Sequence, residues 1–198
     1  LDEMMPGGGF YKGSSILVSG SAGTGKSSVG ALFLEAACRK GQRAMMFAYE
    51  ESASQIIRNM RSIGIDLRSH VDSGLLRIHS SRPTLGGLEQ HLVTMHELVE
   101  AHKPEVVLVD PISNLMDDLG DPELKPMLLR LVDHMKVSGI TAMFTSLTSV
   151  GSTLLENSEV GISSLMDTWI VLRNVEHNGE RNRILVILKS RGMQHSNQ

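Results

Sequence analysis

Apolar and polar positions along the chain alternate between two rhythms. Residues 14–20, SSILVSG, form a short branched apolar run of the type buried in a parallel sheet. The stretch KSSVGALFLEAACRKG that follows turns helical, with Val29, Leu32, Phe33, Ala36 and Ala37 on one side and Gly41 placed to end it. Residues 42–50, QRAMMFAYE, read as a second strand, and Ser52 as the N-cap of a helix closed by Gly64. A third strand over 74–80 precedes helical spacing at Leu85, Leu88, Leu92, Met95 and Val99 within 84–102. EVVLVD, residues 105–110, has the strongest strand character.

The next helix is punctuated by Asp121 as cap, Pro122 in the first turn and Gly139 at the end, and 140–146 is again a strand. Strands alternating with helices predict a mainly parallel central sheet covered on both faces. After residue 166 the rhythm changes. DTWIVLRNVE and RNRILVILK flank HNGE, and Asn178-Gly179 between two strands signals an antiparallel hairpin at the C-terminal end. The fold class is α/β, and residues 1–198 are expected to form one domain.

Composition narrows the function classes. A 41% hydrophobic and 21% charged chain with net charge -3 offers no basic stripe for nucleic acid, which disfavours a DNA recombinase. No apolar run approaches a membrane span. The single cysteine, Cys38, builds no disulfide framework, and a reducing cytoplasm is the expected compartment. A first residue of Leu1 in place of methionine suggests a segment of a longer chain.

Chemistry enters at GSAGTGKS, Gly20 to Ser27, which matches G-x-x-x-x-G-K-[ST] between a strand and a helix. Glycines let backbone N–H groups approach phosphate oxygens, and the helix N-terminus adds its partial positive charge. Candidate nucleotide contacts are Gly20, Ser21, Ala22, Gly23, Thr24, Gly25, Lys26, Ser27 and Ser28. Lys26 would reach the β- and γ-phosphates of ATP, and the Ser27 hydroxyl would ligate Mg²⁺. Asp110, at the end of an apolar strand, is a second Mg²⁺-side candidate acting through water, with a helix cap as the alternative. Glu50 and Glu51, at the end of the second strand, face the same crevice. One of them, with Glu50 favoured, could orient or deprotonate an attacking hydroxyl or water.

The stretches LDEMMPGGGFYKGSSILVSGSAGTGKSS, FAYEES, VVLVDPIS, ITAMFTS, GISSLMDTWIVL and ILVILKSRG run in order along the chain. On them the chain resembles the RecA-like P-loop NTPases, and among these the KaiC family of clock autokinases, specifically its C-terminal kinase-bearing domain. The resemblance implies that Glu50 and Glu51 are the paired catalytic glutamates and that Ser163 and Ser164 receive phosphate. It further implies that Ser158 assists as a nearby hydroxyl. Lys189 and Arg191 would be the basic residues inserted toward a neighbouring subunit's γ-phosphate. Members form hexameric rings with ATP between subunits, so a homo-oligomer with a clock or signalling partner is expected. Ser164 stands where a threonine is usual. Read from the residues alone, Lys189 and Arg191 project to one side of a strand and could equally be a solvated sheet edge. Two activities are in view: an ATP-dependent serine autokinase with ATPase activity, or a nucleotide-gated ring scaffold with slow hydrolysis.

The remaining features read as structural. His91 and His96 lie about 140° apart on a helix, so the eight histidines show no metal-site clustering, and zinc is not expected. The twelve methionines suit core filling.

Overall fold

The computed structural model describes residues 9–82, 87–115, 124–148, 164–177 and 180–192. Among these residues seven strands form one sheet: β1 (Ser15–Gly20), β2 (Ala44–Ala48), β3 (Leu76–Ser80), β4 (Val106–Asp110), β5 (Thr141–Leu147), β6 (Thr168–His177) and β7 (Glu180–Ser190). Their order across the sheet is β3-β2-β4-β5-β1-β6-β7. Every neighbouring pair is parallel except β6–β7, which is antiparallel and closes with His177 opposite Glu180. That register leaves two residues for the connection, as the Asn-Gly signal requires; residues 178–179 themselves lie outside the described set.

Among the described residues five α-helices cover the sheet: α1 (Lys26–Arg39), α2 (Ala53–Ser62), α3 (Arg68–Asp72), α4 (Leu88–His102) and α5 (Leu124–Val137). The strand period of two sorts the core into two layers. Ile16, Val18, Met46, Leu108 and Met143 point to one face, where they pack with Leu34 and Cys38 of α1 and Ile56 and Met60 of α2. Leu17, Phe47, Val107, Val109 and Phe144 point to the other, against Met95 and Val99 of α4 and Leu131, Val132 and Met135 of α5. The central strands are buried throughout because both faces are covered.

Several expected boundaries shift. β2 stops at Ala48, where its partners β3 and β4 also run out at Ser80 and Asp110. Glu50 and Glu51 therefore lie just beyond the strand. Ser52 caps α2 in a full capping box with Gln55. α3 is a five-residue helix that no apolar period announces, and a 3₁₀ turn over Ile112–Leu115 follows β4. Leu85, Asp121 and Pro122 lie outside the described residues. Among the described residues no helix is long and apolar enough to cross a membrane.

Candidate functional site

β1 delivers the chain to the C-terminal edge of the sheet, and the loop after it turns tightly into α1. Gly20 permits the turn: a Cβ there would meet the Leu172 carbonyl oxygen at 2.5 Å and Thr24 Oγ1 at 2.7 Å. Gly23 and Gly25 take positive φ of 76° and 96°, the left-handed region that favours glycine. Gly25 is the N-cap of α1 and has no side chain to satisfy the first amides, which leaves those donors for an anion. Lys26 is buried, and its ammonium donates to the carbonyls of Gly20 at 2.8 Å and Ser21 at 2.9 Å. Thr24 Oγ1 also donates to the Ser21 carbonyl, at 2.8 Å.

Beside this loop, Ser27, Glu50, Glu51 and Asp110 line one crevice of about 30 Å³ with Pro111 and the apolar floor of Met46 and Ala48. Glu50 Oε1 accepts from Asn114 Nδ2 at 3.1 Å, and Glu51 Oε2 from Asn59 Nδ2 at 3.0 Å. Thr145 Oγ1 donates to Asp110 Oδ1. The two glutamates thus splay to different elements. Glu50 is tied to the 3₁₀ turn after β4, and Glu51 to α2. The oxygen-rich donor set suits a hard cation, so Ser27 and Asp110 are suitable Mg²⁺-side groups. A larger cavity of about 430 Å³ is lined by Phe10, Phe33, Lys40, Glu105 and Thr141 and shares no residue with the loop or the crevice.

The other candidates assemble elsewhere. Asp167, just before β6, binds the start of β1: its Oδ2 accepts from the Ser15 amide at 2.9 Å and the Ser15 hydroxyl at 3.0 Å. Its Oδ1 accepts from Lys136 Nζ at 2.9 Å. Burial works against the ionised carboxylate, but the Ser15 and Lys136 hydrogen bonds outweigh it and hold Asp167 below the usual range. The Asp167 carbonyl accepts from the Arg191 amide at 2.8 Å. The Arg191 guanidinium in turn donates to the Ser164 carbonyl at 2.8 Å. Arg191 lies past the end of β7, so it and Lys189 do not share a strand face as their spacing suggests. Burial, then the Arg191 charge, lowers the Lys189 ammonium below the usual lysine range. Ser164 is exposed. Ser158 and Ser163 lie outside the described residues.

Two groups escaped the sequence reading. Asp167 holds the segment around Ser164 to the sheet through contacts 152 residues distant, which no local pattern reveals. Arg183 of β7 brings a guanidinium nitrogen to 3.5 Å from where a Gly25 Cβ would stand. A second cation therefore lies beside the phosphate loop.

A parallel sheet whose first strand ends in a glycine-rich loop opening a helix, with a carboxylate ending the strand two places away, defines a P-loop nucleotide-binding protein of RecA-like fold. The family model described as "ATPase: KaiC" matches residues 1–198. The chain belongs to the KaiC ATPase family. It is 50% identical over 200 residues to the circadian clock protein KaiC2 of Synechocystis sp., covering 100% of this chain and 35% of that protein. It is 40% identical over 197 residues to the circadian clock oscillator protein KaiC of Parathermosynechococcus lividus, covering 98% of this chain and 36% of that one. With KaiC of Rippkaea orientalis identity is 38% over 195 residues, 98% of this chain and 37% of the relative. The chain thus spans roughly a third of the length of these relatives.

Proposed function

We propose that the protein is an ATP-dependent serine autokinase with accompanying ATPase activity, working between subunits in clock or clock-like signalling. The observation that carries this reading is the separation of donor and acceptor. The phosphate loop begins at Gly20, at one end of β1, whereas Asp167 is bonded to Ser15 at the other end, and Ser164 lies three residues before Asp167 with its carbonyl held by Arg191. Five residue steps along a strand measure about 16 Å at ~3.3 Å per residue. Phosphoryl transfer needs reacting atoms within about 3–3.5 Å. That separation favours a reading in which the acceptor meets a neighbour's loop over one in which it meets the loop of its own chain.

Lys189 and Arg191 sit at that same acceptor end, so one edge of a subunit would present both hydroxyls and cations to the nucleotide edge of the next. A contact joining unlike edges is heterologous, and it closes into a ring when the rotation allows. A hexamer with ATP at each boundary is the proposed assembly. Mg²⁺–ATP supplies the phosphoryl group when bound. Lys26, the loop amides and Arg183 would hold its phosphates, and Ser27 and Asp110 would serve the metal side, Asp110 through water. Glu50, oriented by Asn114, accepts the proton of the Ser163 or Ser164 hydroxyl as its oxygen bonds to phosphorus and the bond to ADP breaks. Glu51 is its partner carboxylate. Lys189 and Arg191 spread charge on the transferring group, a role in which a trans arginine can contribute on the order of 10³–10⁵. Ser158 is an auxiliary hydroxyl.

The test is peptide mass spectrometry of 158–164 after incubation of the purified protein with Mg²⁺ and ATP. Phosphate on Ser163 or Ser164 is expected. Glu50→Gln should slow its appearance by about 10²–10⁴, the range for removal of a general base. A nucleotide-bound oligomer that stays unphosphorylated would instead favour a ring scaffold with slow hydrolysis.

A further inference from the structure

The histidines carry no clustered motif along the chain, yet the fold brings two of them together. His96 and Glu100 are four residues apart on α4 and share a face. His134 of α5 meets them: His96 Nδ1 lies 3.2 Å from His134 Nε2, with ring centroids 4.5 Å apart and planes at 60°. Glu100 Oε1 lies 4.0 Å from the same His134 Nε2. One ligand atom from each of the three side chains lies within 4.8 Å of the other two. The expectation that the histidines stay dispersed is corrected by this crossing of two helices.

We propose that His96, Glu100 and His134 form a binding site for a divalent transition metal, with Zn²⁺ or Co²⁺ as the fitting ions. Two imidazole nitrogens about 2.0–2.1 Å from a tetrahedral ion stand about 3.3 Å apart. The histidine pair already has that spacing. Glu100 is exposed and closes the remaining gap by changing rotamer. The pair is held in place from below, because Met95 and Val99 flank His96 and Met135 follows His134, and all three are buried in one core layer. Two imidazoles and one carboxylate favour zinc, cobalt or nickel over magnesium or calcium. Three protein ligands leave a fourth position for water. Metal binding requires the tautomer that leaves both facing nitrogens, His96 Nδ1 and His134 Nε2, unprotonated, with each ring's proton on its other nitrogen. Bound metal would fasten α4 to α5 on the outside of the sheet. None of the three residues lines the nucleotide crevice.

The experiment uses tag-free, metal-stripped protein in excess Mg²⁺, which keeps the oxygen-rich crevice out of the titration. Zinc chloride titrated by calorimetry should show one Zn²⁺ per chain. His96→Ala and His134→Ala should each weaken it at least about tenfold, Glu100→Gln should weaken it less, and circular dichroism should stay unchanged. Cobalt chloride should give the intense visible bands of a four-coordinate site in the parent and not in either histidine variant. His96→Gln and His134→Gln provide the same comparison should an alanine variant lose its fold. Zinc affinity equal in the parent and both histidine variants, or no binding by the parent, overturns the proposal.

Discussion

Asp167→Asn removes a charge from the point where β6, β1 and α5 are tied together. The carboxylate accepts three hydrogen bonds, two from Ser15 and one from Lys136. Its side chain is only 24% exposed, so water replaces little of what is lost. An asparagine keeps one acceptor oxygen and sets an NH₂ group against either the Ser15 amide or the Lys136 ammonium, donor facing donor. Hydrogen bonds to charged groups contribute about 1.5–3 kcal/mol. One such bond lost and part of a second weakened gives a cost of about 2 kcal/mol. For a domain of this size that lowers Tm by roughly 4–8 °C. The ionised state is favoured by folding, so the contribution is complete above the unfolded aspartate value of about 3.9 and fades as pH falls through the lower folded value. Thermal melts of parent and variant should therefore differ by a constant gap from pH 5 to 8. Lys136→Met should cost less in the Asp167→Asn background than alone. A gap below about 1 °C, or one that already closes between pH 8 and 5, would refute the argued role of the carboxylate.

Two further outcomes follow from the same structure. Arg183→Ala should weaken ATP about 10- to 100-fold in a nucleotide-displacement assay, the equivalent of one lost charged hydrogen bond; a change under about twofold would remove Arg183 from the phosphate site. Burial, then the Glu35 carboxylate, pushes the Cys38 thiol up to about 11. Alkylation at pH 8 should accordingly run roughly 10²- to 10³-fold slower in the folded protein than in urea, and comparable rates would contradict that environment.

What could be read from the sequence was local or periodic. The phosphate loop is contiguous, its glycines meet conformational needs within a few residues, and the strand-loop-helix context is written on either side of it. The buried strands stand out because both their faces are apolar, and the Asn-Gly pair falls between β6 and β7, which pair antiparallel among the described residues. The hidden part is contact between distant elements. Nothing near Asp167 announces Ser15 and Lys136 as its partners, since the pairing depends on β1 and β6 lying side by side. Arg183 reaches Gly25 only because β7 folds back along β6. His96 and His134 look dispersed until α4 and α5 pack on one face. Two residues apart suggested one strand face for Lys189 and Arg191, yet β7 ends between them and Arg191 turns to the Ser164 carbonyl. α3 is too short for a helical period to register.

The central claim is that phosphate crosses from one chain to another, and a mixing experiment tests it directly. Lys26→Ala should bind no ATP but keeps its serines. A chain carrying Ser163→Ala and Ser164→Ala keeps the phosphate loop but has no acceptor. With one chain isotopically heavy, and mixed assemblies verified by native mass spectrometry, incubation with Mg²⁺ and ATP should place phosphate on the Lys26→Ala chain. That chain alone should stay unmodified. A mixed assembly that leaves the Lys26→Ala chain unphosphorylated, while the parent protein is phosphorylated under the same conditions, would contradict transfer between subunits.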